Sequence, residues 1–172
     1  MSLIEQKKDY IKRGAFDELY TPKEAVDMLL DYIPKEVKNI WECTAIEDSK
    51  IVSVLRNNNY KVITSHLKDG LDFFDYEAEN YDMIITNPPY SLKDKFLKRG
   101  FDLGKPFMML LPITTLEGIK RSKMFNDNKI QLLIPNKRFN FKPEKNSSAW
   151  FQTSWFCFNC NFENDLNFID VV

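Results

Sequence analysis

The order of apolar and polar residues along the chain predicts alternating strands and helices. Short apolar runs indicate strands near residues 39–44, 60–65, 81–86, 107–111, 130–134 and 148–158. Between most of these runs, apolar residues recur at helical spacing, near residues 21–33, 51–55, 91–103 and 116–125. The alternation predicts an α/β fold: a Rossmann-like, mostly parallel, doubly wound sheet of about seven strands, with an antiparallel strand near the C-terminus.

Capping residues define two of the predicted helices. Thr21 is expected to be the N-cap of the first helix, with Pro22 in its first turn and Glu24 completing a capping box. Ser91 is expected to cap a later helix, which Gly104 closes.

The length of 172 residues suits one compact domain, and no Pro-, Gly- or Ser-rich linker divides the chain. We therefore expect a single domain over residues 1–172, with residues 1–19 as an N-terminal helix or arm.

The longest apolar run, at 107–113, is too short to span a membrane. Three cysteines, an odd number, argue against a disulfide framework. With a polar start to the chain, these features predict a cytoplasmic protein that does not bind membranes.

Charge is distributed unevenly, although the formal net charge is only −1. Residues 1–80 carry 11 basic and 16 acidic side chains, whereas residues 81–145 carry 13 basic and 6 acidic ones. A basic segment in a neutral chain is expected where one face meets phosphate groups. A solvated lysine-rich surface gives the same pattern, so charge alone leaves both interpretations open.

The most informative motif is Asn87-Pro88-Pro89-Tyr90, which directly follows the predicted strand at 81–86. Ligands of a doubly wound sheet bind beyond the carboxyl ends of its strands, where this motif lies. Two consecutive prolines fix the backbone and hold its carbonyl groups rigidly. The Asn87 oxygen and a proline carbonyl offer two acceptors to one exocyclic amino group, and Tyr90 offers a ring on which a base can stack. The alternative interpretation is a tight turn without chemistry.

On this motif the chain resembles the S-adenosylmethionine-dependent methyltransferases that act on the amino group of adenine in nucleic acid. Weaker matches follow in the same order: Tyr20-Thr21-Pro22 before the first helix, Ile40-Trp41-Glu42 as the first strand, Asp72-Phe73-Phe74 beside the cofactor adenine, and 107–112 as the strand after the catalytic loop. The resemblance spans residues 20–158 and is closest to small phage-type members without a separate target-recognition domain. It implies the methyltransferase form of the Rossmann-like fold.

The resemblance implies a role for each matched position. Asn87 and the carbonyl of Pro88 accept hydrogen bonds from the adenine amino group, and Tyr90 stacks on the flipped base. Pro89 completes this catalytic motif. The cofactor S-adenosylmethionine is contacted by Tyr20, Thr21, Glu42, Asp72 and Phe73. No general base is needed, so the motif acts by positioning and electrostatics.

Two positions in the cofactor half depart from the family pattern. The loop at 42–48 has no glycine, although the family backbone passes close to the methionine part of the cofactor there. His66 stands where the family usually has a carboxylate that holds both ribose hydroxyls. A neutral imidazole accepts one hydrogen bond rather than two. Because Glu42 or Asp48 could replace that acid, His66 and Asp48 join the candidate cofactor residues.

We expect no metal site. Cys157 and Cys160 have the CxxC spacing of zinc and redox sites. The other ligands available, Cys43 and His66, are predicted near the first strands, away from this pair. The CxxC spacing is therefore interpreted as incidental.

Aromatic residues next to basic ones are further candidates for contact with nucleic acid. Phe139 and Phe141 alternate beside Lys137, Arg138 and Lys142, a pattern that permits base stacking. The alternative is that both rings pack in the core, as we expect for the aromatic residues of the 148–158 strand.

Two functions follow from these observations. The first is methyl transfer to adenine in nucleic acid, DNA favoured over RNA, with phosphate contacts from Lys93, Lys120, Arg121, Lys123, Lys137 and Arg138. The second is a methyltransferase-fold protein without cofactor binding that binds nucleic acid or a protein partner, for example a phage-encoded inhibitor of a host system. The NPPY motif favours the first function, and the missing glycine and His66 favour the second.

Overall fold

The computed structural model describes residues 20–46, 48–141 and 151–171. These residues form one sheet of seven strands: β1 (Asn39–Glu42), β2 (Lys61–Thr64), β3 (Met83–Thr86), β4 (Phe107–Pro112), β5 (Gln131–Pro135), β6 (Thr153–Phe158) and β7 (Leu166–Ile169). The α-helices in the same ranges are α1 (Lys23–Asp27), α2 (Lys50–Asn57), α3 (Lys93–Leu103) and α4 (Ile119–Asn128). Four short 3-10 turns lie at Leu30–Tyr32, Leu67–Asp69, Tyr90–Leu92 and Ile113–Leu116.

The strand order across the sheet is β2-β1-β3-β4-β6-β5-β7. Strand β6 runs antiparallel to both of its neighbours, β4 and β5, and all other pairs are parallel. This arrangement confirms the predicted Rossmann-like α/β fold, including the antiparallel strand near the C-terminus. It also places the carboxyl ends of β1 to β5 on one edge of the sheet, which we call the carboxyl edge.

Each face of the sheet buries its own apolar cluster. Because successive side chains of a strand point to opposite faces, β4 places Met108 with α1 and α2 on one face and Phe107 with α3 on the other. Helix α3 lies very close to the sheet at Gly100, where an added Cβ would come within 2.8 Å of the Met109 Cε atom. A side chain at position 100 would therefore push α3 away from the strand.

The start of α1 differs from the sequence prediction. Pro22 rather than Thr21 is the N-cap residue, and no side chain caps the helix. The capping box was therefore wrong, because the Thr21 hydroxyl is engaged by Asn87 instead. The helix is also shorter than predicted and gives way to the 3-10 turn at Leu30–Tyr32.

The start of α3 also differs from the prediction, whereas its end agrees with it. Pro89 is extended, with φ −55° and ψ 122°, and the chain then forms the 3-10 turn at Tyr90–Leu92. Leu92 is consequently the N-cap residue, so the expected cap by Ser91 was wrong. Gly104 closes the helix as predicted, at a left-handed φ of 70° that glycine adopts without strain.

Some predictions fall on residues that the structure does not describe. The N-terminal helix or arm at 1–19 and the first part of the 148–158 strand lie outside the described residues. Across the part of the chain that is described, no helix has the length and apolar character needed to cross a membrane.

Candidate active site

The centre of the sheet contains the point at which strand order reverses. Strand β1 lies beside β3, and the chain continues from β1 to β2 on one side and from β3 to β4 on the other. Such a reversal opens a crevice beyond the carboxyl ends of the two central strands. Because β1 ends at Glu42 and β3 at Thr86, the NPPY loop and the loop after β1 both border this crevice.

Asn87 is held by a hydrogen bond from its own side chain. Its Nδ2 donates to the Oγ1 of Thr21 over 3.0 Å, across a sequence separation of 66 residues. The main-chain carbonyl of Asn87 lies 3.4 Å from the Oγ1 of Thr44, whose one hydrogen it shares with the closer acceptor Glu42. Because an amide is planar, fixing its nitrogen on Thr21 also fixes the direction of its oxygen. This hydrogen bond joins Asn87, predicted to contact the adenine amino group, to Thr21, predicted to contact the cofactor.

Tyr90 lies in a contact between aromatic rings at the end of the NPPY loop. Its ring meets that of Phe151 edge to face, with centroids 5.8 Å apart and planes at 83°. Phe151 in turn stacks on Phe141 at 6.3 Å. The Nζ of Lys93 donates to the Tyr90 carbonyl over 3.3 Å, so this lysine is tied to the loop. Within the motif Pro88 is buried, and Asn87, Pro89 and Tyr90 are half-buried.

Glu42 lies in a buried network of hydrogen bonds between β1 and β3. Its Oε1 accepts from the Thr86 hydroxyl over 2.6 Å, from the Thr44 amide over 2.9 Å and from the Thr44 hydroxyl over 3.0 Å. The two threonine oxygens also lie 2.8 Å from each other. The network connects Glu42 to the backbone of Asn87 through Thr44. Glu42 therefore links the two loops that border the crevice.

The environment of Glu42 affects its protonation. Burial raises the pKa of its carboxyl group, while the hydrogen bonds from Thr86 and Thr44 act in the opposite direction. Burial also raises the pKa of the neighbouring Cys43 thiol, and the nearby charge of Glu42 adds to that effect. A nucleophilic thiolate at Cys43 is thus disfavoured.

His66 acts as a local cap after β2. Its Nδ1 accepts a hydrogen bond from the Lys68 amide over 3.0 Å, at the start of the 3-10 turn Leu67–Asp69. Short polar acceptors such as aspartate commonly make this kind of bond to the backbone two residues on. The preceding Ser65 connects the end of β2 to β1, since its amide donates to the Glu42 carbonyl over 3.1 Å.

Asp72 and Phe73 lie beside β1, on the face covered by α3. Asp72 is buried, and its Oδ1 accepts from the Phe74 amide over 3.0 Å. The Phe73 ring stacks on Phe96 with centroids 4.9 Å apart and also contacts Trp41. The ring of Phe73 is therefore part of the core.

The remaining cofactor candidates lie apart from one another. The side chain of Tyr20 is 60% exposed next to Thr21. Asp48 has a left-handed φ of 63° and lines a cleft of about 590 Å³ between α2 and the end of β2, together with Arg56, Asn57 and Asp69. Asp48 directly precedes the N-cap residue of α2, Ser49, and its cleft also includes Thr64 and Ser65 at the end of β2, whereas Tyr20 directly precedes Thr21, the partner of Asn87.

Most candidate phosphate-binding residues lie at the carboxyl edge. Lys93 begins α3, Lys120 and Arg121 lie in the first turn of α4, and Lys137 and Arg138 follow β5. All these positions follow strands that end at that edge. Lys123 is one turn further along α4.

Several of these cations already face acidic side chains. Arg121 pairs with Asp94 of α3 over 3.0 Å, Lys123 with Asp127 over 2.8 Å, and Lys137 approaches Glu24 at 3.8 Å. Lys120 and Arg138 are exposed. Surface ion pairs of this kind are weak, so phosphate groups can compete for the paired cations.

Phe139, Phe141 and the CxxC cysteines belong to the core. Phe139 is 0% and Phe141 4% exposed, so the stacking interpretation of these two rings was wrong. Cys157 and Cys160 are buried free thiols. In the described ranges no group of three or more His, Cys, Asp or Glu side chains is placed to hold a metal ion.

Sequence reasoning missed three polar residues that support the crevice. Thr44 and Thr86 hold Glu42 and the Asn87 backbone, and the Ser65 hydroxyl accepts from the Trp41 indole over 2.9 Å. A signal was present for Thr44 and Thr86, since they follow or end the largely buried strands β1 and β3, but not for Ser65, because β2 is exposed at both ends. Buried hydroxyl groups at such positions require hydrogen-bond partners.

Comparison with known proteins adds only a distant likeness of fold. No protein-family model matches the sequence, and no curated protein is significantly similar to it. A crystal structure of a predicted O-methyltransferase from Agrobacterium tumefaciens is similar over 88% of this chain and 86% of that chain, with a TM-score of 0.45 and 9% identity. At that level the likeness says nothing about substrate, so the functional argument depends on the geometry of this chain.

S-adenosylmethionine fits this edge in location, but the ribose acceptor that the resemblance implies after β2 is missing. Its vicinal ribose hydroxyls need two acceptors at the end of β2. His66 Nδ1 accepts from the Lys68 amide, so the other nitrogen of the neutral ring carries the proton and is a donor. In Glu42, Oε1 accepts from the Thr44 amide and the Thr86 hydroxyl, so a ribose hydroxyl would have to use Oε2. The cofactor side therefore departs from the resemblance in structure as well as in sequence.

Proposed function

We propose that the protein recognises the exocyclic amino group of adenine in nucleic acid, DNA favoured over RNA, and that its reaction is methyl transfer to that group from S-adenosylmethionine. The observation that carries the proposal is the hydrogen bond from Asn87 to Thr21 at the reversal of strand order. It holds an asparagine amide in one orientation at the place where ligands of this fold bind.

The residues of the NPPY loop would act by positioning. The Asn87 side-chain oxygen and the Pro88 carbonyl would each accept one hydrogen of the amino group, so that the nitrogen lone pair turns away from both acceptors. The Tyr90 ring would stack on the base, with its orientation held by Phe151. When bound, S-adenosylmethionine supplies an electrophilic methyl group. No proton needs to leave the amino group before transfer, so positioned acceptors suffice.

Nucleic acid is the proposed source of the adenine because basic residues lie on the same edge. Lys120 and Arg138 are exposed there, and Arg121 and Lys137 can exchange their acidic neighbours for phosphate. Binding that depends on phosphate contacts weakens steeply as salt concentration rises. A salt-dependent affinity for an adenine-containing oligonucleotide is thus expected.

A second candidate function is recognition of the base without methyl transfer. One observation favours it: His66 Nδ1 and Glu42 Oε1, two acceptors on residues that the resemblance assigns to the cofactor, are engaged by the chain's own donors. In this function the protein would bind nucleic acid or a protein partner through the same fold.

One experiment separates these functions. Titration calorimetry with S-adenosylmethionine, and with S-adenosylhomocysteine as a second ligand, measures cofactor binding. Methyl transfer is then measured on DNA and RNA oligonucleotides of the same sequence, each with and without adenine. We expect transfer to adenine, reduced about 100-fold or more in Asn87→Ala. The matched control is Asn126→Ala, which removes an exposed asparagine from α4.

Each result has a definite meaning. Transfer that persists in Asn87→Ala would contradict the proposed site. No cofactor binding at millimolar concentration, combined with adenine-dependent oligonucleotide binding that still requires Asn87, would support the second function. The absence of any adenine-dependent binding would contradict the first function and the nucleic-acid form of the second.

A further inference from the structure

The last strand of the sheet exposes two large apolar side chains. Leu166 is 55% and Phe168 77% exposed, and both belong to β7, which ends the sheet in the described part of the chain. Residues two apart in a strand point to the same face, so the two side chains lie next to each other. Exposed apolar residues that cluster in this way indicate a contact surface more often than isolated ones do.

The main chain of the same two residues faces outward. The main-chain amide of Leu132 in β5 donates to the Asp165 carbonyl over 2.7 Å, and the amide of Asn136, just after β5, donates to the Ile169 carbonyl over 3.0 Å. Alternate residues of a strand bond toward the same neighbour, so positions 165, 167 and 169 face β5. The N–H and C=O groups of Leu166 and Phe168 therefore face away from the sheet. Edge strands usually carry Lys, Pro or a bulge that prevents pairing with another strand. Residues 166–169 carry no Lys or Pro.

The surroundings of this edge are acidic. Glu163, Asp165 and Asp170 are exposed, and residues 151–171 contain no Lys or Arg. The hydrogen-bond donors to Asp165 and Asp170 are the amide groups of Gln131 and Asn136, which leave the negative charge in place. Pairing β7 with a second copy of itself would bring like charges together, and nucleic acid would be repelled. Charge complementarity selects a basic partner.

We propose that β7 is a docking edge for an extended, basic segment of a partner protein. The segment would add a strand next to β7, with main-chain hydrogen bonds to Leu166 and Phe168. Apolar side chains of the segment would cover these two residues, and its Lys or Arg residues would face Glu163, Asp165 and Asp170. This surface is separate from the NPPY loop, so the proposal does not depend on the methyl-transfer function.

The test uses a fluorescently labelled peptide of alternating valine and lysine, with anisotropy as the readout. The comparison peptide has glutamate in place of lysine. We expect the lysine peptide to bind about tenfold more tightly or better, with an affinity that falls as salt rises. Phe168→Asp should weaken binding about tenfold. The matched control is Ile119→Asp, which changes an apolar residue that is 91% exposed on α4.

Three outcomes would overturn the proposal: no binding of the lysine peptide, equal binding of both peptides, or binding that Phe168→Asp leaves unchanged. A dimer in sedimentation velocity that Phe168→Asp dissociates would also overturn it, because a second copy would then cover the edge. Phe168→Ser, which adds no charge, provides a second variant if Phe168→Asp does not fold. Circular dichroism checks the fold of each variant.

Discussion

The two sides of the central crevice differ in what their polar side chains contact. On the side that we propose for adenine, the Asn87 side-chain nitrogen donates to Thr21, which fixes the direction of the amide oxygen. On the cofactor side, Glu42 Oε1 accepts from Thr44 and Thr86, and His66 Nδ1 accepts from a neighbouring amide. The first arrangement fixes the orientation of one amide, which the proposed function uses for the base, whereas the second joins the ends of neighbouring strands and loops.

This difference shows that a matched position does not by itself transfer a role. Glu42 stands at the end of the first strand, as the resemblance requires, yet its described contacts are structural. His66 occupies the place of an acid and makes a backbone cap that an acid could make equally well. Only the hydrogen-bond partners of each residue distinguish a residue that binds a ligand from one that supports the fold.

The largest effect we expect concerns Glu42. Glu42→Ala should lower the free energy of unfolding by about 3 kcal/mol, because the Thr44 amide and the Thr86 hydroxyl lose their buried acceptor. Urea denaturation measures the change. Glu163→Ala, at an exposed carboxylate, is the control and should change stability by less than about 0.5 kcal/mol. A Glu42→Ala protein as stable as the wild type would contradict the structural role of this residue.

A smaller effect is expected when a carboxylate is restored at the end of β2. His66→Asp should tighten S-adenosylmethionine binding about tenfold, because a carboxylate can cap the turn and still accept from the ribose. Calorimetry measures the affinity. His66→Asn also caps the turn but supplies no charge, so it serves as the matched control. Equal affinities for the two variants would show that the missing carboxylate does not limit cofactor binding.

The next effect concerns the bond that orients Asn87. Thr21→Val removes the acceptor of the Asn87 amide and should cost about 1 kcal/mol of stability. It should also weaken adenine-dependent oligonucleotide binding, whereas Thr21→Ser keeps the hydroxyl and should behave like the wild type. Thr114→Val changes an exposed threonine and is the control. If Thr21→Val binds the oligonucleotide as tightly as the wild type, the hydrogen bond between Asn87 and Thr21 does not orient Asn87 for base recognition.

The smallest effect depends on pH. Because folding raises the pKa of Glu42, its contribution to stability is fully present below the unfolded pKa of about 4.3 and is lost as pH rises through the folded pKa. Glu42→Gln keeps an acceptor oxygen but does not titrate. The stability of the wild type relative to Glu42→Gln should therefore decline from about pH 4.3 upward, as urea denaturation at several pH values can show. A constant difference would argue against a raised pKa.

Local patterns in the sequence predicted the sheet and the NPPY loop. Strands such as β3 and β4 are buried apolar runs, and the loop after β3 carries a distinctive tetrapeptide. Strand β7 escaped prediction because Leu166–Ile169 is short, partly exposed and bordered by Asn and Asp.

Contacts between distant residues could not be predicted from such patterns. The bond from Asn87 to Thr21 and the network from Glu42 to Thr86 each join residues more than forty positions apart. The burial of Phe139 and Phe141 likewise depends on tertiary packing, since their basic neighbours suggested an exposed segment.

The bond between Thr21 and Asn87 also determines where a reporter group can be attached. Because Tyr20 is exposed directly before Thr21, a group attached at position 20 lies close to Asn87, at the rim of the crevice. A fluorophore on that side would sense occupation of the adenine site but could also obstruct it. Val171 follows β7, four strand spacings from β3, or about 19 Å. A label there would leave the crevice open, at the cost of placing it beside the docking edge.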